Sequence, residues 1–322
     1  MPRERLPARV PAAKGEHVMR SMRRQRGIAI VIVMWAAVIL TVIAGSFIME
    51  RRTETMIIAN SVALARAEAA AAAGVTRAIA EAYRNDPTAL DSWKRDGAPH
   101  DWIFDGFVVR VEMRDESAKI DLNTASEALL RGLLVSTGLN EEEVNHLLDA
   151  IIDWRDPDIF KRPNGAEEAD YRAAGLTYVP GNAPFQALEE LQLVLGMRPE
   201  LYRRLAPSLT VYSRQPGVNP QVASREVLLA IPGLTTEVVD DFIARREAAI
   251  AAQEPLPTLP QAGAYATGTS PVLNVRSMAQ SEDGVFFSRE AVALLRPVPG
   301  KPVTYVVWRE SAPPPPAPAA NS

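Results

Sequence analysis

The chain of 322 residues contains no cysteine. Disulfides, thiolate nucleophiles and cysteine-held metal centres are therefore excluded. Histidine is nearly absent as well, with only His17, His100 and His146. A histidine-rich metal site or a conventional histidine base has few candidates. Acidic residues outnumber basic ones outside the N-terminal stretch. The net charge is -4, yet residues 1–27 carry eight Lys or Arg against two Asp or Glu. The remainder is correspondingly acidic, and such a body does not seek a nucleic-acid backbone. A hydrophobic content of 47% is enough for a sizeable core in one to three domains.

One stretch lacks charge altogether. Ile28 to Met49 reads IAIVIVMWAAVILTVIAGSFIM, 22 residues, or about 33 Å as a helix. That matches a bilayer's hydrocarbon thickness of roughly 30 Å. Arg23, Arg24 and Arg26 precede it and argue for a cytoplasmic N-terminus, with the bulk of the chain exported. Glu50, Arg51 and Arg52 at the far end weaken that vote without reversing it. A secretory signal peptide would normally have a shorter apolar run, roughly 7–15 residues, closing on a small-residue cleavage site. Here the run closes on Ser46-Phe47-Ile48-Met49-Glu50. A plain membrane anchor has the same composition. A third reading rests on Gly27, at the junction of the basic stretch and the apolar run.

Met22-Arg23-Arg24-Gln25-Arg26-Gly27, followed by Ile28-Ala29-Ile30-Val31, resembles the precursors of type IV pilin-like proteins. Their short basic leader ends in Gly and is removed by prepilin peptidase on the cytoplasmic side. The resemblance implies cleavage between Gly27 and Ile28, N-methylation of the new terminus, and retention of the apolar segment as the N-terminal helix. A leader of 27 residues is long for the family, and a start at Met19 or Met22 instead of Met1 would give the usual length. The fifth mature position, Glu in most pilin-like proteins, is Ile32 here. A buried carboxylate there can pair with the N-terminal amine of a neighbouring subunit, and an unpaired buried charge costs several kcal/mol. A subunit without it cannot make this contact with a subunit above, which is harmless only at a filament tip. Among type II secretion pseudopilins, the large minor pseudopilin K characteristically lacks this Glu.

After the anchor the pattern stays helical. Residues 53–84 are rich in Ala, Glu and Arg, with Gly74 alone as a weak former. Val62, Ala65, Ala69, Ala72, Val75, Ile79 and Ala82 fit one face. One helix is expected from about residue 28 to about 84, where Asn85-Asp86-Pro87 stops it. Phe107 to Met113 alternates as a strand. Further strands fit Leu209–Tyr212, Val272–Met278, Gly284–Phe287 and Val303–Trp308, and 252–270 reads as a loop or linker. The tail with Pro313–Pro316 is low-complexity and expected to be disordered.

Between the strands lies a helical block with an internal repeat. Asp121-Leu122-Asn123-Thr124-Ala125-Ser126 resembles Asn219-Pro220-Gln221-Val222-Ala223-Ser224. Each opening suits a helix cap. Each is followed by a Gly-Leu turn, Gly138-Leu139 and Gly233-Leu234, and then by a second helix. The unit resembles the helix-hairpin-helix module, which often points turn amides at DNA phosphates. Residues 120–250 carry 12 Lys or Arg against 20 Asp or Glu, which opposes a duplex. A structural or protein-docking role is favoured.

An acidic segment follows the first repeat. Asp153-Trp154-Arg155-Asp156 leads to Gly165-Ala166-Glu167 and Tyr171, then to Pro180-Gly181-Asn182-Ala183-Pro184-Phe185 before Glu190-Leu191. This is the best match to the pseudopilin K family in the chain. Trp154 fits a structural role on the helical core, and Asn182, Pro184 and Phe185 fit the loop's return into it. Asp156, Asp158, Glu167, Glu168 and Asp170 offer hard oxygens, and calcium takes roughly 6–8 of them. The resemblance also implies calcium. The spacing is not that of an EF-hand, and a solvated acidic loop capped by Arg155 stays open as the plain alternative. A glycosidase carboxylate pair finds no supporting pocket signature.

The resemblance to the pseudopilin K family runs from Arg23 to about Trp308 and is weakest over 252–302. It implies an α+β fold: a pilin-like long N-terminal helix and small antiparallel sheet, with a large inserted all-α domain holding helix-hairpin-helix-like repeats. The expected division is 1–27 leader, 28–49 transmembrane helix, 50–114 helix extension and first strand, 115–250 insertion, 251–310 linker and remaining strands, and 311–322 tail. The implied role is structural, not enzymatic: a minor pseudopilin at the tip of the type II secretion pseudopilus. Its implied partners are the I- and J-type minor pseudopilins, prepilin peptidase and inner-membrane lipid, with the bulk of the chain in the periplasm and no nucleic acid. The competing reading is a membrane-anchored helix-hairpin-helix protein that binds DNA.

Overall fold

A computed structural model describes residues 26–84, 93–296 and 301–312. The basic leader up to Gln25 and the Pro-rich tail from Pro313 lie outside the described residues. Helix α1 covers Arg26–Arg84. The chain divides into two compact units, Met1–Val62 and Ala63–Ser322. In the first unit the described apolar side chains from Ile28 onward are exposed, Ile32 at 61% and Trp35 at 65% among them. The mean hydropathy of its most apolar window is 2.8, and the helix is long and apolar enough to cross a membrane.

In the second unit the rest of α1 packs on an antiparallel sheet. The strands are β1 (Asp96–Phe104), β2 (Phe107–Asp115), β5 (Val272–Ser281), β6 (Phe286–Leu294) and β7 (Thr304–Glu310), in that spatial order. Between β2 and β5 lie β3 (Ile120–Asp121) and β4 (Leu209–Thr210), a short parallel pair inside the insertion. Alternation sets the faces: Phe107, Val109, Val111 and Met113 point to the helix, as do Leu273, Val275 and Ala279. The helix meets them with Ala67, Ala70, Ala71, Val75, Ala78, Ile79 and Ala82, all buried. The expected face was right from Val75 onward and misphased before it, because Ala65, Ala69 and Val62 are exposed. In an alanine-rich helix hydrophobicity alone does not mark the phase.

The other face of the sheet carries a ladder of alternating charge. Glu112, Arg276, Glu290 and Arg309 stand opposite one another across β2, β5, β6 and β7. Arg309 donates to Glu290 at 3.0 Å and reaches Glu189 of the insertion at 2.7 Å. The two chain crossings between sheet and insertion are joined by Asp115, which is fully buried. Its Oδ1 accepts from the amides of Ser117 and Ser270, each at 2.9 Å.

Three sequence expectations need correction. β1 precedes the strand read as first. The strand expected at Gly284–Phe287 starts only at Phe286, because Gly284 takes φ +83° in the preceding turn. The segment after α7 (Thr236–Ala252) is not only a linker, since Leu259 and Ala262 enter the insertion's core.

Candidate functional site: the acidic loop on a duplicated helical insertion

The insertion is built from two similar hairpins. In the first, α2 (Glu127–Ser136) leads to α3 (Glu141–Arg155). In the second, α6 (Arg225–Leu229) leads to α7. Their openings match bond for bond. Asp121 Oδ1 accepts from Asn123 N at 2.9 Å, as Asn219 Oδ1 does from Gln221 N at 3.0 Å. Ser126 accepts from Leu129 N, and Ser224 from Val227 N, each at 3.4 Å. Gly138 and Gly233 hold φ of +78° and +85°, a region that glycine enters without penalty. Asn140, in a capping box with Glu143, and Thr235 start the second helices.

Helix α3 ends in the acidic segment. Asp149 and Asp153 lie four residues apart on one helical face and fasten the loop that follows. Asp149 Oδ1 accepts from Arg162 Nε at 3.0 Å, and its Oδ2 from Asn164 N at 3.1 Å. Burial alone would raise the Asp149 pKa, but Arg162 and Asn164 outweigh it and hold the group below the usual range. Asp153 is fully buried and accepts from the amides of Arg162 and Ala166. A Cβ on Gly165 would lie 1.9 Å from Asp153 Oδ2, so only glycine lets the loop close over this carboxylate. Trp154 packs between Phe185 and Tyr171, with ring centroids 5.9 and 6.2 Å away. Asn123 and Phe185 exchange two bonds, of 2.8 and 3.0 Å, which bring the loop back to the first hairpin.

The five carboxylates singled out from sequence separate into two groups. Glu168 and Asp170, on α4 (Glu168–Ala173), are engaged by Arg172 and, at 2.6 Å, by Lys161. The Lys161 bond holds the Asp170 pKa down. Asp158 accepts from Phe160 N at 2.8 Å. Asp156 and Glu167 differ: Oδ1 of the first and Oε1 of the second are buried without a hydrogen-bond donor. Asn182 Oδ1 shares that condition, on a residue held at φ +42°. Burial raises the pKa of Asp156, and the Asp158 charge adds to it. Burial also raises Glu167, followed by the charges of Asp153 and Asp156. Asp153 is raised by burial, then by Asp156 and Asp149. Among the described residues no three His, Asp or Glu side chains already stand close enough together to hold a metal. What stands there, among the described residues, is one carboxylate oxygen each of Asp156 and Glu167 and the Asn182 amide oxygen without donors, the chemistry a hard cation such as calcium would satisfy.

The comparisons with known proteins bear on the same region. The model of the type II secretion system protein K matches residues 111–216, the whole of the acidic loop included. Type II secretion system protein K of Pseudomonas aeruginosa is 29% identical over 245 residues, covering 68% of this chain and 73% of that protein. The protein of the same name from Klebsiella pneumoniae is 29% identical over 231 residues, with 64% and 70% covered. Over about two thirds of its length the chain is thus similar to type II secretion system K proteins. In fold it is similar to a chain of the GspK–GspI–GspJ complex from enterotoxigenic Escherichia coli, with a TM-score of 0.58 at 14% identity. That match covers 77% of this chain and 96% of the other. The α+β architecture expected from sequence, a long helix with an antiparallel sheet, stands.

Several residues that shape the site escaped the sequence reading. Asp149 was not singled out and Asp153 only as part of the family match, although their four-residue spacing just before a Pro- and Gly-containing loop was a usable sign. Arg155 was read as a cap of the acidic loop. Instead its guanidinium is directed to the backbone carbonyls of Leu122 and Ala125, and the ion pairs in this region are made by Lys161, Arg162 and Arg172.

Proposed function

We propose that this chain is a minor pseudopilin that occupies the tip of a type II secretion pseudopilus, with a structural and assembly role and no catalytic one. The observation that carries this is Ile32. The position that would hold the carboxylate for a subunit above carries an alkyl side chain, on a helix otherwise suited to a bilayer and a filament core. A subunit that accepts a neighbour below and offers nothing to one above ends the filament. Similarity to type II secretion system K proteins supports the reading, and the bulk of the inserted helices is consistent with a cap.

The leader is removed between Gly27 and Ile28, and α1 then anchors the protein in the inner membrane with its body in the periplasm. The partners are other minor pseudopilins of the I and J types, as in the complex whose fold this chain resembles. Calcium would be held by Asp156 and Glu167 with Asn182, while Asp158, Glu168 and Asp170 complete the acidic surround. The ion would neutralise carboxylates that burial and mutual repulsion now disfavour.

N-terminal sequencing of protein from cells with an active prepilin peptidase tests the assignment. Methylated Ile28 is the expected first residue. A chain that keeps residues ahead of Ile28 in such cells overturns it.

A further inference from the structure

The sheet has two open edges, β1 and β7. An open edge offers unpaired N–H and C=O groups to any extended chain, and proteins usually blunt such edges. β1 is blunted. Pro99 has no N–H, the register slips between Asp96 and Pro99, and Asp101 holds Arg110 at 2.8 Å across the strand pair. β7 has no proline, and Tyr305, Val306 and Trp308 are 43%, 51% and 42% exposed. Its one irregularity is Val306, which has no partner between the pairs Val292–Val307 and Ala293–Tyr305.

Val306 lines an apolar pocket of about 300 Å³, walled also by Val211, Pro271, Val272 and Leu294. Arg214 and Arg296 line the same pocket. Both are exposed, and no ion pair engages either among the described residues. The backbone of Arg214 is fixed at φ +54° by a 2.8 Å bond from its N–H to Asp121 Oδ2. Two uncompensated guanidiniums beside an apolar pocket stand out on a chain whose 120–250 stretch is strongly acidic.

We propose that β7 and this pocket dock an extended segment of a partner protein that carries an apolar side chain followed by carboxylates. The partner's backbone adds a strand to β7, the apolar side chain fills the pocket, and the carboxylates meet Arg214 and Arg296. The charge of the two arginines selects this occupant. The chain's own tail from Pro313 has no Asp or Glu, and its prolines cannot donate to an edge. The proposal stands on the sheet edge and is independent of the filament-tip assignment.

The test uses the full chain in detergent micelles and two dye-labelled heptapeptides. One is Thr-Val-Thr-Leu-Asp-Glu-Asp, and the other has Asn and Gln in place of its acids. Fluorescence anisotropy should show saturable binding of the acidic peptide and much weaker binding of the neutral one. Each of Arg214→Gln and Arg296→Gln should weaken binding by up to about fivefold, the range of an exposed ion pair. Hydrogen exchange of the 304–310 amides should slow when the acidic peptide is bound. Equal binding of both peptides, or affinity unchanged in the double arginine variant, overturns the proposal. So does binding that emerges only after deletion of 313–322, which would make the tail the occupant. Concentration-dependent self-association that protects the same amides would assign the edge to a second copy and overturn it too.

Discussion

Gly132 of α2 lies against the backbone of Ala230, the equivalent position of the second hairpin: a Cβ on Gly132 would sit 2.0 Å from the Ala230 carbonyl oxygen. The two repeats therefore cross at a point where each contributes its counterpart residue. No larger side chain fits on the first.

Gly132→Ala tests how much the insertion depends on that crossing. Alanine improves helix propensity by roughly 1 kcal/mol. The clash is with backbone, which cannot rotate aside, and overpacking of this kind costs about 1–3 kcal/mol. A net fall in thermal stability is expected by circular dichroism. Gly268→Ala, which meets nothing within 4 Å, serves as the control and should leave the melting temperature in place.

Arg155 and Arg246 form a second internal correspondence. Arg155 donates to the carbonyls of Leu122 and Ala125, and Arg246 to those of Pro220 at 2.7 Å and Ala223 at 2.9 Å. Each arginine thus closes the opening of its own hairpin from the second helix. Burial lowers the pKa of both guanidiniums. Arg155→Gln and Arg246→Gln should each destabilise by about 1–3 kcal/mol, the cost of leaving partly buried carbonyls without donors. Denaturant melts in which either variant matched the parent would show that water takes over the contact.

These features also mark what could be read from the chain alone. The long helix was legible because Ile28–Met49 has no charge. The repeat was legible because Ala-Ser recurs, each time with an Asp or Asn five residues before the Ser. The arginines that close the repeats were not, because relative to the caps Asn140 and Thr235 they fall one helical turn apart. β1 was missed because its sequence, DGAPHDWIF, mixes Gly, Pro and charge without alternation. β6 was read as ending at Phe287 although it runs to Leu294, because Ser288 and Arg289 are buried polar residues that break the hydrophobic pattern. Composition pointed to the acidic loop as a region. Which carboxylates lack partners depends on Arg162, Lys161 and Arg172, and no spacing rule assigns those pairings.

Glu167 gives a prediction with a sign in pH. Its pKa is raised in the folded chain, first by burial and then by Asp153 and Asp156. The folded state thus holds this proton more tightly than the unfolded one does. The stability it contributes is complete below the ordinary carboxylate range and is lost as pH climbs through the raised value. Glu167→Gln cannot titrate. In EDTA its stability relative to the parent should therefore grow as pH rises above the ordinary carboxylate range and level off once Glu167 is ionised in the folded chain. Adding calcium at neutral pH should raise the parent's melting temperature and not the variant's. A parent that melts identically with EDTA and with calcium removes the calcium proposal. The pH comparison in EDTA would still report on the charge cluster by itself.

Gly74 and Ser277 set the distance between α1 and the sheet. A Cβ on Gly74 would meet Ser277 Oγ at 2.2 Å and Val109 Cγ1 at 2.7 Å. The Ser277 hydroxyl is itself buried without a partner, so it contributes little that alanine would lose. Ser277→Ala should therefore be neutral or slightly stabilising. Gly74→Ala alone should destabilise, since the helix must rise or the serine must turn against packed neighbours. In Gly74→Ala with Ser277→Ala, the nearest obstacle is gone and the methyls of Val109, at 2.7 Å, and Val111, at 3.0 Å, remain. The double variant should then recover part of the loss, giving a favourable coupling of about 0.5–2 kcal/mol in a double-mutant cycle. Strict additivity of the two changes would mean that Val109 and Val111, not the serine, set how closely the helix approaches.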